Sequence, residues 1–147
     1  MEVIYPFALV VHLFCAILFV GYLLVEAIFL TPLFRQIPSQ WSQRIKEILG
    51  RIETRVMPPS FLVLILSGGM MVSQYLGGEN GYFQNLGQIL LGIKMILAFC
   101  ILCLVVFSLS MFFIFKKPNP LRRYMHPIVL CLALVIILLA KLMFWVG

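Results

Sequence analysis

Four long apolar runs dominate this sequence and limit what the chain can fold into. They cover roughly residues 4–31, 57–77, 88–115 and 124–146, and each has about the 20 residues that a helix needs to cross the hydrocarbon core of a bilayer. Apolar residues make up 63% of the chain and the mean hydropathy is +1.11, which excludes an ordinary soluble domain. The sequence therefore predicts an all-α integral membrane four-helix bundle formed by a single domain, residues 1–147.

Basic residues cluster in two of the three connections between these runs. The basic connections carry Arg35, Arg44, Lys46, Arg51 and Arg55 in 34–56 and Lys116, Lys117, Arg122 and Arg123 in 116–123, whereas the connection 78–87 carries only Glu79. Because cytoplasmic loops are enriched in Lys and Arg, both basic connections are expected in the cytoplasm and both termini outside it. The net charge of +6 is then explained by orientation in a bacterial-type inner membrane, and we expect no nucleic-acid partner.

The segment 39–56 is basic and amphipathic. Pro38 breaks the chain before it, and Ser39 is available as a helix N-cap. The apolar residues of one side are Trp41, Ile45, Ile48, Leu49, Ile52 and Val56. This pattern predicts a helix lying at the cytoplasmic interface between the first two spans, with its basic face toward anionic lipid headgroups.

The first apolar run contains a regular stripe of residues spaced three and four apart. Its members are Tyr5, Ala8, His12, Cys15, Phe19, Tyr22 and Glu26. Such a stripe falls on one helix face and predicts contact with other helices rather than with lipid. An ionisable group in a span is costly without a partner, so His12 and Glu26 are candidate functional residues. His12 is expected to ligate heme iron or to bond to a neighbouring helix, and Glu26 to transfer protons or to pair with Arg55 or Arg51.

The expected depths of the polar residues separate them into two groups. With a rise of about 1.5 Å per residue, the outer group lies roughly 25–30 Å above the cytoplasmic helix ends and the inner group within about 10 Å of them. The outer group is His12, Met71, Lys94 and Lys141, and the inner group is Glu26, Arg55 and His126. His12 and His126 would differ in depth by roughly 20 Å, which disfavours one heme held by both histidines.

The outer group predicts a heme pocket. The candidate cofactor-binding residues are His12, Met70, Met71, Gly68, Gly69, Lys94 and Lys141. Methionine is a known partner of histidine in heme ligation, so Met70 or Met71 is expected as the sixth ligand, with Lys94, water or no ligand as alternatives. The glycines allow close approach of a flat ring or of a helix. The lysines are expected near the propionates, although Lys94 also fits snorkelling to the headgroups.

The inner group gives the candidate catalytic residues Glu26, Arg55 and His126. These side chains suit binding of an anionic substrate or relay of protons at the cytoplasmic side. For His126, a solvated or lipid-facing position beside the basic connection remains an alternative.

Several stretches resemble two related membrane families. His12, Phe19, Gly21 and Pro32 are similar to the first helix of the copper-resistance D (CopD) family, with Phe19 in the place of its usual tryptophan. The segments 51–59, 67–69, 81–94 and 140–144 resemble the HemJ-type protoporphyrinogen IX oxidases, four-helix proteins that bind heme b. The resemblance implies heme b at His12 and a redox reaction that involves a porphyrinogen or a quinone. A homodimer is compatible with so small a unit.

Two other classes of function stay open. Copper transport or delivery is favoured by the soft ligands Cys15, Cys100, Met70 and Met71 near the expected depth of His12. Cysteines in spans are also common packing residues. A structural assembly partner that binds neither metal nor heme is the second alternative.

Overall fold

Long helices form the regular structure of the chain. The computed structural model describes residues 3–74, 84–116 and 122–146. Its helices are α1 (Ile4–Val25), a π-helical turn (Glu26–Leu30), α2 (Thr31–Gln36), α3 (Ser39–Val72), α4 (Leu86–Phe113) and α5 (Arg122–Val146). Four stretches, Ile4–Gln36, Ser39–Val72, Leu86–Phe113 and Arg123–Val146, are long and apolar enough to cross a membrane. The predicted all-α, multi-pass membrane class is therefore confirmed.

The first helical stretch is longer than predicted because it continues through a proline. Pro32 has no backbone N–H to donate, and in a regular α-helix its ring would clash with the carbonyl four residues before it. The turn Glu26–Leu30 widens to π geometry just before this position. The amide of Thr31 and its hydroxyl, at 2.9 Å, both donate to the Glu26 carbonyl oxygen. The helix therefore runs on to Gln36 rather than ending near residue 31.

The predicted interfacial helix and the second span form one continuous helix. α3 spans 34 residues and passes through Pro58 and Pro59, where the sequence indicates a boundary between 56 and 57. At its start, the Pro38 carbonyl accepts the amides of Trp41 at 3.1 Å and Ser42 at 3.0 Å. Pro38 therefore takes the capping position predicted for Ser39. The end of the predicted span, 75–77, lies outside the described residues, as do most of the connection 78–87 and residues 117–121.

The chain divides into two compact units, Met1–Met71 and Val72–Gly147. In the first unit, α1 and α2 run antiparallel to α3. Their contacts pair successively earlier residues of α2 and α1 with successively later residues of α3. These contacts are Phe34 with Lys46 (5.0 Å from the ring centroid to Nζ), Tyr22 with Glu53, Phe19 with Phe61 (5.1 Å between centroids), and His12 with Ser67. In the second unit, α4 and α5 pack closely against each other.

The stripe predicted on α1 faces protein. Ala8 and Phe19 are buried, and the other five members, from Tyr5 to Glu26, are half-buried. Phe7 and Phe14, on other faces of the same helix, are 71% and 70% exposed. The predicted contact face of the first span is thus confirmed, and apolar side chains elsewhere on the helix are left for lipid.

Candidate functional site

The imidazole of His12 is held against α3 by two hydrogen bonds from one ring nitrogen. Nδ1 lies 3.0 Å from the Leu64 carbonyl oxygen and 3.1 Å from Ser67 Oγ. A carbonyl oxygen can only accept a hydrogen bond, so Nδ1 carries the proton. Ser67 sends its own hydroxyl proton to the Val63 carbonyl at 2.7 Å, which leaves its oxygen able to accept from His12. In the neutral ring, the lone pair therefore resides on Nε2.

The backbone of α3 at Gly68 makes room for this ring. A Cβ atom added at Gly68 would lie 3.1 Å from His12 Cε1 and 3.5 Å from Nδ1. The same atom at Gly69 would meet nothing within 4 Å. The flat ring that Gly68 accommodates in this structure is thus the imidazole of His12. The role of both glycines beside a cofactor stays a prediction.

The contact face of α3 repeats the pattern of α1. Its half-buried or buried members are Glu53, Met57, Ser60, Leu64, Ser67 and Met71, at spacings of four and three. Met71 follows Ser67 by one turn on this face, whereas Met70 is 50% exposed. Of the two methionines proposed as ligands, Met71 therefore lies on the helix face that contacts His12.

Glu53 is a half-buried acidic residue on this face that the sequence analysis missed as a site residue. It accepts a hydrogen bond from the Tyr22 hydroxyl, with 3.3 Å between the oxygen atoms. Arg51 and Arg55 are both exposed, so α3 presents a carboxylate rather than either arginine to Tyr22. The signal that would have found Glu53 is its place in the four-and-three spacing that leads to Ser67.

The other predicted inner residues lie on separate elements. Glu26 is half-buried and begins the π-helical turn, and His126 is half-buried near the start of α5. Their grouping with Arg55 as catalytic residues stays a prediction.

Lys94 and Lys141 lie toward the same end of the second unit. Gly87, near the start of α4, is close to Met143, whose Cγ would be 3.9 Å from an added Cβ. Lys94 follows Gly87 by roughly 10 Å along the axis and Lys141 precedes Met143 by roughly 3 Å. Lys94 is half-buried and Lys141 is exposed. The two lysines thus lie toward the same end of the α4–α5 pair. Their common depth in a membrane and their pairing with propionates stay predictions.

Within residues 3–74, 84–116 and 122–146, no three histidine, cysteine or acidic side chains come together as a metal site. Cys15 is half-buried, while Cys100, Cys103 and Cys131 are exposed free thiols. A heme iron with one protein histidine needs no such cluster, since the porphyrin supplies the equatorial ligands. Comparisons of the chain with family models, with curated proteins and with solved structures find no match.

Proposed function

We propose that this protein is a membrane-embedded b-type hemoprotein of the HemJ/CopD-like group, with His12 as the ligand of the heme iron. The observation that carries the proposal is the hydrogen bond from His12 Nδ1 to the Leu64 carbonyl oxygen, 3.0 Å long. A histidine that binds a metal through one ring nitrogen almost always donates the other N–H to a carbonyl or carboxylate. This bond fixes the tautomer and the plane of the ring.

The surroundings of His12 are consistent with a rigid ligand. Ser67 adds a second acceptor at 3.1 Å, and Gly68 lets the ring lie against the α3 backbone. Of Met70 and Met71, the methionines proposed as the sixth ligand, Met71 would be the one to help hold the heme, because it shares the contact face of α3 with Ser67. Heme ligated by histidine and methionine supplies one-electron redox chemistry at a potential raised by the thioether.

The rest of the proposal concerns the bundle around the heme. The basic connections would lie in the cytoplasm, and the predicted four-helix bundle would hold the heme in the outer half of the membrane. Lys94 and Lys141 would then pair with the propionates. The electron donor would be a porphyrinogen or a quinol, and Glu26, Arg55 and His126 would handle its charge or its protons at the inner side.

The test is the absorption spectrum of the full chain purified in detergent from heme-supplemented cells. We expect a Soret band with reduced α and β bands in the wild type and its loss in His12→Ala. His126→Ala is the matched control and keeps the spectrum, because a single histidine ligand is proposed. Imidazole added to His12→Gly should restore the Soret band, which separates loss of a ligand from misfolding.

Other outcomes would overturn the assignment. A Soret band that is unchanged in His12→Ala excludes His12 as the ligand, and a wild type without heme excludes a hemoprotein. Copper that copurifies with the wild type and is lost in Cys15→Ser would support copper handling instead. For the sixth ligand, we expect Met71→Leu to shift the reduced spectrum and Met70→Leu, exposed at 50%, to leave it unchanged.

A further inference from the structure

The first part of α3 carries charges that the bilayer interior cannot hold. All its charged residues, Arg44, Lys46, Glu47, Arg51, Glu53 and Arg55, fall before residue 56. A helix of 34 residues is about 51 Å long, which exceeds the hydrocarbon core of about 30 Å by more than a headgroup layer on each side. With residues 56–72 in the hydrocarbon, Arg55 lies at its edge and Arg51 about 6 Å further out. That distance corresponds to the headgroup layer.

Two arginines are stacked one turn apart on the outer face of this segment. Arg51 and Arg55 are four residues apart and both are exposed. Like charges at this spacing repel each other along a helix, so an anion held between them is favoured. Glu47, one turn before Arg51, is also exposed, and Arg44 at the next turn leaves the row with a net positive charge.

Exposed apolar side chains border the two arginines. Ile48 and Ile52 are 51% and 55% exposed, and Val56 is 38% exposed. By helical periodicity Ile48 lies beside the arginines on the side of α3 away from Glu53. Ile52 and Val56 follow one and two turns later, each turned about 40° further toward the Glu53 side. The strip begins outside the hydrocarbon segment, where lipid tails would not cover it. The side chains of the described residues do not cover it either. A soluble anion would engage the arginines and leave the strip bare, whereas a phospholipid covers both.

We propose that Arg51 and Arg55 bind the phosphate of an anionic phospholipid whose acyl chain lies along Ile52 and Val56. Guanidinium groups form paired hydrogen bonds with phosphate oxygens. The acyl chain runs from the headgroup layer toward residues 56–72 in the hydrocarbon. None of the residues of this site is a proposed heme ligand, although Arg55 is also one of the three residues proposed to handle the charge or the protons of the electron donor. Loss of lipid retention with an unchanged Soret band would therefore concern this site and not the heme.

The test compares two double variants with the same loss of charge. Arg51→Gln/Arg55→Gln removes the proposed site, and Arg35→Gln/Arg123→Gln, two exposed arginines outside the row, is the matched control. Each protein is reconstituted in nanodiscs that contain equal amounts of phosphatidylglycerol and phosphatidylcholine. The lipids retained after mild detergent extraction are then counted by native mass spectrometry.

We expect the wild type and the control to retain phosphatidylglycerol over phosphatidylcholine. The preference should fall at least about tenfold in Arg51→Gln/Arg55→Gln. An equal fall in both variants would show that the preference depends only on net charge, and it would refute the proposed site. A wild type that shows no preference for phosphatidylglycerol would refute it as well. Inorganic phosphate at 10-fold excess over lipid should not displace the retained phosphatidylglycerol; complete displacement would show that the apolar strip contributes nothing and would refute the lipid site. A circular dichroism spectrum equal to that of the wild type confirms that each variant is folded.

Discussion

Replacing Gly68 by alanine tests the contact between His12 and α3 without removing any side chain. The added Cβ would lie 3.1 Å from His12 Cε1, a few tenths of an ångström closer than an ordinary contact of 3.4 Å. The ring must move away by that amount. Its hydrogen bonds to Leu64 and Ser67, now 3.0 and 3.1 Å, then lengthen toward the limit of useful geometry. Gly69→Ala is the matched control because its Cβ would meet nothing within 4 Å.

The expected size of the effect follows from two opposing terms. Alanine in place of glycine inside a helix stabilises it by about 0.5–1 kcal/mol, and both variants receive this gain. Weakening the His12 bonds costs about 1 kcal/mol, the net contribution of a typical hydrogen bond. Gly68→Ala should therefore leave the free energy of unfolding almost unchanged, whereas Gly69→Ala should raise it. The difference of about 1 kcal/mol corresponds to about 2–4 °C in the melting temperature of a chain of this size.

Thermal unfolding in one detergent, followed by far-ultraviolet circular dichroism, measures this difference. In a His12→Ala background the two alanine variants should melt at the same temperature, because the ring that Gly68 accommodates is gone. Equal melting temperatures in the wild-type background, or a difference that persists without His12, would refute the reasoning.

Two further contacts between α1 and α3 give testable values. Phe19 and Phe61 have ring centroids 5.1 Å apart, and a double-mutant cycle with leucine at both positions should give a coupling free energy of about 0.5–1.5 kcal/mol; a coupling of zero would contradict a direct contact. Tyr22→Phe removes the donor to Glu53 at 3.3 Å and should destabilise the protein by about 1 kcal/mol. Tyr124→Phe, 58% exposed, should change the same melting temperature little, and equal effects of the two would argue against the Glu53 bond.

Much of the helical architecture could be predicted from the sequence, since it depends on local properties. Hydropathy placed the last two spans within two residues of α4 and α5. The proline signals were less informative. The helix continues through Pro32 by way of a π-helical turn, and Pro58 and Pro59 lie within α3. Tertiary contacts and adjustments of neighbouring turns outweigh the helix-breaking propensity of single prolines.

The sequence by itself determined that this chain forms four apolar helices and which face of α1 meets protein. Both follow from hydropathy and from the period of 3.6 residues, which are read within one segment. Only the tertiary structure decided that His12 Nδ1 donates to Leu64, that Gly68 makes room for its ring, and that Glu53 meets Tyr22. The His12 contacts join residues 52 and 55 positions apart. The register between two helices is set by how their side chains interlock, and no local pattern encodes it.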